Sequence, residues 1–119
     1  MIGTGPFLVA FDPLDRAVFV GDQATGKVTI YAFNVATGAI GNAGAFTNIS
    51  ANGITPITTD ITGTYLYVGV KAAAAPGSLG AIAVYKIVSA GSVTLSPVAG
   101  TPFSTGTRNP GIAVTNVVQ

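Results

Sequence analysis

Residues 11–33, FDPLDRAVFVGDQATGKVTIYAF, carry the signals that decide the fold class. Asp12-Pro13 has the form of a turn, and AVFV at 17–20 is a run of residues that favour strands. The polar stretch DQATGK at 22–27 forms a second turn signal before the strand-like run VTIYAF at 28–33. Two such runs joined by a short turn that contains glycine predict an antiparallel β-hairpin.

The hairpin signal returns about 50 residues later in the chain. VFVG at 18–21 aligns with LYVG at 66–69, a spacing of 48 residues. Asp12 aligns with Asp60 at the same spacing. A match of both the turn acid and the strand at one spacing indicates an internal repeat.

The second strand of the hairpin also recurs, at a larger spacing. VTIY at 28–31 aligns with IAVY at 82–85, which is 54 residues on, because the loop KAAAAPGSL at 71–79 adds six residues. NPGIAVTN at 109–116 then matches GPFLVAFD at 5–12. The chain therefore reads as four strands, repeated once, followed by the first strand of a further unit.

A unit of about 50 residues with four strands is typical of a β-propeller blade. We predict an all-β fold, a β-propeller fragment of two four-stranded antiparallel blades plus a closing strand. The first blade is assigned to residues 1–50, the second to 51–108 and the closing inner strand to 109–119. Because apolar and polar residues do not alternate cleanly in 28–33, that strand is expected to be buried on both faces. The predicted strands are 7–11, 17–20, 28–33, 65–70, 81–87, 93–98 and 112–118.

These segments resemble the lactonase-like β-propellers, a group that includes bacterial phosphogluconolactonase and fungal carboxymuconate cyclase. The resemblance lies in residues 11–40, 62–87 and 95–114: an Asp-Pro turn, two apolar strands, a Thr-Gly turn and a Gly-x-Pro-Phe-x-Thr-Gly ending. It extends over nearly the whole chain. It implies a ring of about seven blades, whereas propellers in general have about 4–8.

Two blades cannot close a ring, because each blade needs a neighbour on its large face. We therefore expect homo-oligomerisation, with three copies giving six blades, or a chain that is the C-terminal piece of a longer propeller. The strand predicted at 111–118 would insert into a neighbouring blade.

Composition excludes several function classes. The 119 residues include no Cys, His or Trp, and the four acidic residues are all Asp, at 12, 15, 22 and 60. There is thus no thiol or imidazole for nucleophilic catalysis or metal binding, and we assign no catalytic residue, no metal site and no cofactor. A net charge of +1 with 8% charged residues argues against nucleic-acid or membrane-surface partners. The low charge favours an extracytoplasmic origin.

The resemblance implies a pocket at the propeller mouth, on the face that carries Asp22, Lys71, Arg108 and Asn109. These four residues are the binding candidates, for a small anionic or sugar-like ligand. GDQATGKV at 21–28 nearly matches a phosphate-binding loop, but it has Val28 in place of the hydroxyl residue and precedes a strand. It is predicted to be a hairpin turn in which Gly26 adopts a positive φ.

Asp12 and Arg16 belong to the opposite end of the blade. Asp12 is expected to accept hydrogen bonds from its own turn, and Arg16 to pair with a carboxylate there.

The sequence supports one function, and it leaves one alternative function and one alternative fold. The first hypothesis is a non-catalytic structural or binding segment that assembles with copies of itself into a closed propeller. An alternative is a sugar-lactone hydrolase that is active only in the assembled ring, with Asp22 activating water and Arg108 holding the substrate. A free β-sandwich of about nine strands also suits this length, although the 48-residue match argues against it.

Overall fold

The computed structural model describes residues 7–72 and 79–106, and the regular elements in this part of the chain are all β-strands. Short turns separate most of the strands, at the positions where Gly, Asp, Asn and Ser cluster. The strands are β1 (Phe7–Phe11), β2 (Ala17–Asp22), β3 (Lys27–Asn34), β4 (Ala39–Asn48), β5 (Ile54–Thr59), β6 (Tyr65–Val70), β7 (Gly80–Ala90), β8 (Ser92–Pro97) and β9 (Phe103–Gly106).

The strands form two antiparallel sheets in which neighbours follow chain order. Sheet 1 has the order β1-β2-β3-β4. Sheet 2 has the order β5-β6-β7-β8, and β9 also pairs with β7. The predicted all-β, antiparallel architecture is therefore confirmed at the level of two sheets. The closing strand predicted at 109–119 lies outside the described residues.

The fourth position of sheet 2 is shared by two short strands. β8 pairs with β7 from Tyr85 to Ala90, and β9 pairs with the same edge of β7 from Gly80 to Ile82. Between them the chain bulges out opposite Val84, whose carbonyl accepts from the Val98 amide at 3.0 Å. The Val84 amide donates to the Thr101 hydroxyl at 2.7 Å. Sheet 2 therefore has four strand positions, like sheet 1.

The two sheets share one hydrogen-bonding register. Val18 faces Tyr31 in sheet 1, and Leu66 faces Tyr85 in sheet 2, which are the residues that the spacings of 48 and 54 equate. The Asp12 amide donates to the Ala17 carbonyl at 3.0 Å, and the Asp60 amide donates to the Tyr65 carbonyl at the same distance. We call residues related by these two spacings repeat-equivalent.

The sheets pack face to face, with β1 beside β5, and with β3 and β4 against β8. One apolar core fills the space between them. The buried face of sheet 1 contributes Ala10, Ala17, Phe19, Val28 and Ile30, and the buried face of sheet 2 contributes Ile54, Ile57, Leu66, Val68, Ala83, Tyr85 and Ile87.

β3 corrects the expectation that residues 28–33 are buried on both faces. Val28 and Ile30 are buried, whereas Thr29, Tyr31 and Phe33 on the other side of the strand are only half-buried. The reason is that sheet 2 covers one face of sheet 1, and no described residue forms a sheet on the other. We call this uncovered side the open face of sheet 1. The side of sheet 2 that points away from sheet 1 is called the open face of sheet 2.

β4 and β5 are absent from the predicted strands. β4, AIGNAGAFTN, is rich in Gly, Ala and Asn, which have low strand propensity. β5, ITPITT, contains Pro56, which lacks an amide donor and coincides with a register shift between Ile54 and Ile57. Backbone pairing with β3 and β6 forms these strands despite their composition.

Candidate functional site

The β1–β2 turn is built around the carboxylate of Asp12, which is fully buried. Its Oδ1 accepts from the Leu14 amide at 3.3 Å, and its Oδ2 accepts from the Arg16 amide at 3.1 Å. The Arg16 guanidinium donates through Nε to Oδ2 at 2.5 Å and through Nη2 to Oδ1 at 3.0 Å. The predicted turn role of Asp12 and its pairing with Arg16 are both confirmed.

Arg16 also connects this turn to sheet 2. Its Nη2 donates to the carbonyl oxygen of Gly63 at 2.8 Å, in the equivalent β5–β6 turn. That turn is organised by Asp60, which accepts from the amides of Thr64 and Tyr65, each at 2.8 Å, and from the Thr62 hydroxyl. The repeat-equivalent of Arg16 is Thr64, so the ion pair exists in the first unit and a hydroxyl network replaces it in the second.

The pKa values of both turn carboxyls are lowered. Burial alone would raise the pKa of Asp12, but the hydrogen bonds from the Arg16 side chain and from the amides of Leu14 and Arg16 outweigh it. For Asp60, burial is likewise outweighed by the Thr62 hydroxyl and by backbone amides, so that its pKa also falls below 3.8. Both groups are therefore stabilised as carboxylates whose lone pairs are occupied by donors within the fold.

Asp22 lies at the opposite end of the sheets, in the β2–β3 turn. It is buried, and its Oδ1 accepts from the Ala24 amide at 2.8 Å and from the Thr25 amide at 3.1 Å. The Gly26 amide donates to the Asp22 carbonyl at 2.9 Å, and Gly26 has a φ of 68°. The resemblance of this segment to a phosphate-binding loop therefore reflects a hairpin turn, as the sequence predicted.

Lys71 reaches the same turn from sheet 2. Its Nζ donates to the Gln23 carbonyl at 3.3 Å, and its amide donates to the Gly53 carbonyl at 3.2 Å. The Ile54 amide also donates to the Gln23 carbonyl, at 3.3 Å. Two of the four predicted binding residues, Asp22 and Lys71, thus lie at one end of the molecule, where Asp22 organises the β2–β3 turn and Lys71 joins sheet 2 to it.

Arg108 and Asn109, the other two predicted binding residues, lie outside the described residues. The described part of the site is therefore a set of turn contacts around Gln23. Gly53, with a φ of 87°, sits so close that a Cβ there would lie 2.1 Å from the Gln23 carbonyl oxygen. Gly53 thus packs directly against the Gln23 carbonyl, which accepts hydrogen bonds from the Lys71 side chain and the Ile54 amide.

A cleft of about 280 Å³ opens between the outer strands of the two sheets, at the end that carries Arg16. Its walls are mainly apolar or small residues, with two serine hydroxyls and the edge of the guanidinium. Because Asp12 neutralises Arg16, the cleft offers little charge to a ligand. The lining residues are Arg16, Ile30, Ala32, Gly44, Ser89, Gly91, Ser92 and Val93.

Sequence reasoning missed the contact between Arg16 and sheet 2 and the cleft beside it. One signal was available: Arg16 aligns with Thr64, so the charge is not part of the shared blade pattern. The signal is weak, because Asp15 and Lys86 also lack charged repeat-equivalents, which are Gly63 and Ala32. The acceptor, the Gly63 carbonyl, leaves no trace in the sequence because every residue has a carbonyl.

Membrane-spanning helices and clusters of metal ligands are both absent from residues 7–72 and 79–106. These residues contain no helix with the length and apolar character needed to cross a bilayer. They also bring together no group of three acidic, His or Cys side chains that could hold a metal ion. Comparison of the chain with known protein families, with curated proteins and with solved structures finds no match.

Proposed function

We propose that this chain is a structural module that assembles with copies of itself into a closed, lactonase-like β-propeller. Each copy supplies two blades, sheet 1 and sheet 2, and three copies would give six blades, within the usual range of about 4–8. The assembled ring then serves as a scaffold or as a surface for a small anionic or sugar-like ligand at its mouth.

The observation that carries this proposal is an apolar row along β1. Phe7, Val9 and Phe11 point to the open face of sheet 1 and are 46%, 53% and 61% exposed. Alternate residues of a strand point to the same side, so the three side chains form one continuous strip. Large contiguous apolar surfaces on soluble proteins mark sites of association.

The rest of the open face of sheet 1 is mainly apolar, with Thr29 as a half-buried polar residue opposite Val20. Val20, Tyr31 and Phe33 are half-buried, and they lie on the same side as the β1 row because Val9 pairs with Val20 and Val18 with Tyr31. Beside Phe33, on β4, Ile40 is 56% exposed. A second sheet packed here would remove this surface from water and gain the hydrophobic free energy that sheet 2 already supplies on the other side.

The proposal is tested by measuring the mass in solution. Light scattering and sedimentation across a wide concentration range should give a defined multiple of the 11.8 kDa chain, and three is the multiple expected for a six-bladed ring. A folded monomer at every concentration would contradict the proposal and favour the free nine-strand sandwich.

The hydrolase alternative is tested on the assembled ring. A scaffold predicts no hydrolysis of sugar lactones above the rate of the buffer. Activity that Arg108→Ala abolishes without changing the mass of the assembly would instead establish the enzyme.

A further inference from the structure

The two sheets contact each other through faces that are not repeat-equivalent. Phe19 and Ile30 lie on the buried face of sheet 1, whereas their repeat-equivalents Tyr67 and Val84 lie on the open face of sheet 2. Tyr85 lies on the buried face of sheet 2, whereas its repeat-equivalent Tyr31 lies on the open face of sheet 1. Sheet 1 thus presents one side of the repeat to sheet 2, and sheet 2 presents the other side in return.

From this polarity we infer that copies of the chain associate head to tail, with the open face of sheet 1 of one copy packed on the open face of sheet 2 of the next. The inference rests on the proposed self-assembly and specifies its geometry. The occupant of each open face is a second copy of this chain, and the contact continues the interface that sheets 1 and 2 already form. Such a heterologous contact leads to a closed ring when its rotation closes.

The open face of sheet 1 has the chemistry that this geometry requires. On the buried face of sheet 2, the contact to sheet 1 is made by aliphatic and aromatic side chains, among them Ile57, Val68 and Tyr85. Their repeat-equivalents on the open face of sheet 1 are Val9, Val20 and Tyr31. Each of the three positions is apolar or aromatic in both sheets. This is expected if both surfaces are covered, that of sheet 2 by sheet 1 and that of sheet 1 by the next copy of the chain.

The open face of sheet 2 matches in the same way. The buried face of sheet 1 presents Ala17, Phe19, Val28 and Ile30. Their repeat-equivalents, all half-buried on the open face of sheet 2, are Tyr65, Tyr67, Ile82 and Val84. Two aromatic and two branched aliphatic side chains would meet the apolar row of β1 in the next copy, and the exposed Lys86, which pairs with Tyr65, lies on the same side.

A symmetric arrangement is disfavoured by the same observations. In a dimer related by a twofold axis, each open face would pack against its own kind. Among residues 7–72 and 79–106, the faces that pack together are unlike ones, namely those at the interface between sheets 1 and 2, and no like faces are in contact. An interface already realised within the chain is therefore the model for the contact between chains.

The test uses two variants of the full chain that each block one face. Val9→Lys places a charge on the open face of sheet 1, and because Val9 is 53% exposed we expect the isolated fold to accept the change. Tyr67→Lys does the same on the open face of sheet 2, with Val84→Lys as a substitute should the first fail to fold. Val35→Lys is the matched control, since Val35 is 67% exposed in the β3–β4 turn and belongs to neither face.

Head-to-tail assembly predicts that each blocked variant alone is a folded monomer, that Val35→Lys keeps the wild-type mass, and that the two blocked variants mixed together form a 1:1 heterodimer. The heterodimer is expected because each partner supplies the face that the other has lost. A Tyr67→Lys protein that still pairs with itself, or two folded monomers that do not combine, would overturn the inference while leaving self-assembly intact. A wild-type chain that is monomeric throughout would instead reject the proposed function.

Discussion

The Arg16 guanidinium donates to the carbonyl oxygen of Gly63, 47 residues away in sequence, at a distance of 2.8 Å. One side chain thereby completes its own turn through Asp12 and attaches that turn to the corresponding turn of sheet 2. The bond lies beside the apolar core and at one end of the cleft. Together with the hydrogen bonds to the Gln23 carbonyl at the other end, it adds polar contacts to the hydrophobic contact between the two sheets.

Replacement of Arg16 should therefore destabilise the fold. In Arg16→Thr, which installs the residue of the second unit, the buried carboxylate of Asp12 loses two charge-assisted hydrogen bonds, and the Gly63 carbonyl loses its donor. We expect a loss of about 2–3 kcal/mol in the free energy of unfolding. Arg16→Lys should recover only part of this, because a single ammonium cannot reproduce the forked contact. Urea denaturation measures the effect.

A matched control for this prediction is Lys86→Thr. Lys86 is exposed on the open face of sheet 2, and in dilute solution, where the chains are separate, its removal should change the free energy of unfolding by less than about 0.5 kcal/mol. Equal losses for Arg16→Thr and Lys86→Thr would show that the contact to Gly63 contributes nothing specific.

Acid should weaken the fold through Asp12 and Asp60. Because the folded-state pKa of each group is lower than its ordinary value of 3.8, each contributes stability above that pH, and the contribution is lost as the pH falls through the folded-state pKa. Denaturation midpoints should therefore be steady at neutral pH and fall below about pH 4. Asp12→Asn should lower stability at pH 7 and flatten this acid slope. If the stability of Asp12→Asn fell with decreasing pH as steeply as that of the wild type, the role given to the Asp12 carboxylate would be contradicted.

Sequence reasoning succeeded where local composition and structure agree. β1 and β6 have the predicted bounds, because each is a dense apolar run next to a turn that starts with Asp: the Asp12 turn follows β1, and the Asp60 turn precedes β6. β4 and β5 could be found only by the count of four strands per repeat, since their own residues have weak strand signals. In these two strands, pairing with a neighbour outweighs propensity.

The candidate site likewise contains contacts that local sequence predicts and contacts that it does not. The pairing of Asp12 with Arg16 was predictable because the two residues flank one turn, four positions apart. The placement of Lys71 against the Gln23 carbonyl depends on how the sheets stack, and no local pattern records that. The polarity of the two faces was likewise invisible until the core showed which side of each sheet is covered.

Gly63 and Asp15 offer a comparison of repeat-equivalent turn positions with different surroundings. Both have left-handed backbones, with φ values of 69° and 57°. A Cβ on Gly63 would lie 2.8 Å from Asp12 Oδ1 and 3.0 Å from Leu14 Cγ, whereas Asp15 is exposed. Gly63→Ala should therefore cost about 1–3 kcal/mol, and Asp15→Gly should change stability by less than about 1 kcal/mol. Thermal or urea unfolding of the two variants checks this, and a tolerated Gly63→Ala would show that the turns do not pack as closely as described.

Phe19 and Tyr67 test which surface holds the single chain together. They are repeat-equivalent, but Phe19 is fully buried between the sheets, whereas Tyr67 is half-buried on the open face of sheet 2. Phe19→Ala should destabilise the fold by about 3–5 kcal/mol, because it leaves a cavity in the core. Tyr67→Ala, measured in dilute solution where the chains are separate, should cost clearly less, since water already reaches its ring.

At concentrations that favour association, the cost of Tyr67→Ala should grow, because the same ring then loses its contacts with the next copy. A cost for Tyr67→Ala that equals that of Phe19→Ala in dilute solution, and that does not change with concentration, would show that the open face already contributes fully to the isolated fold.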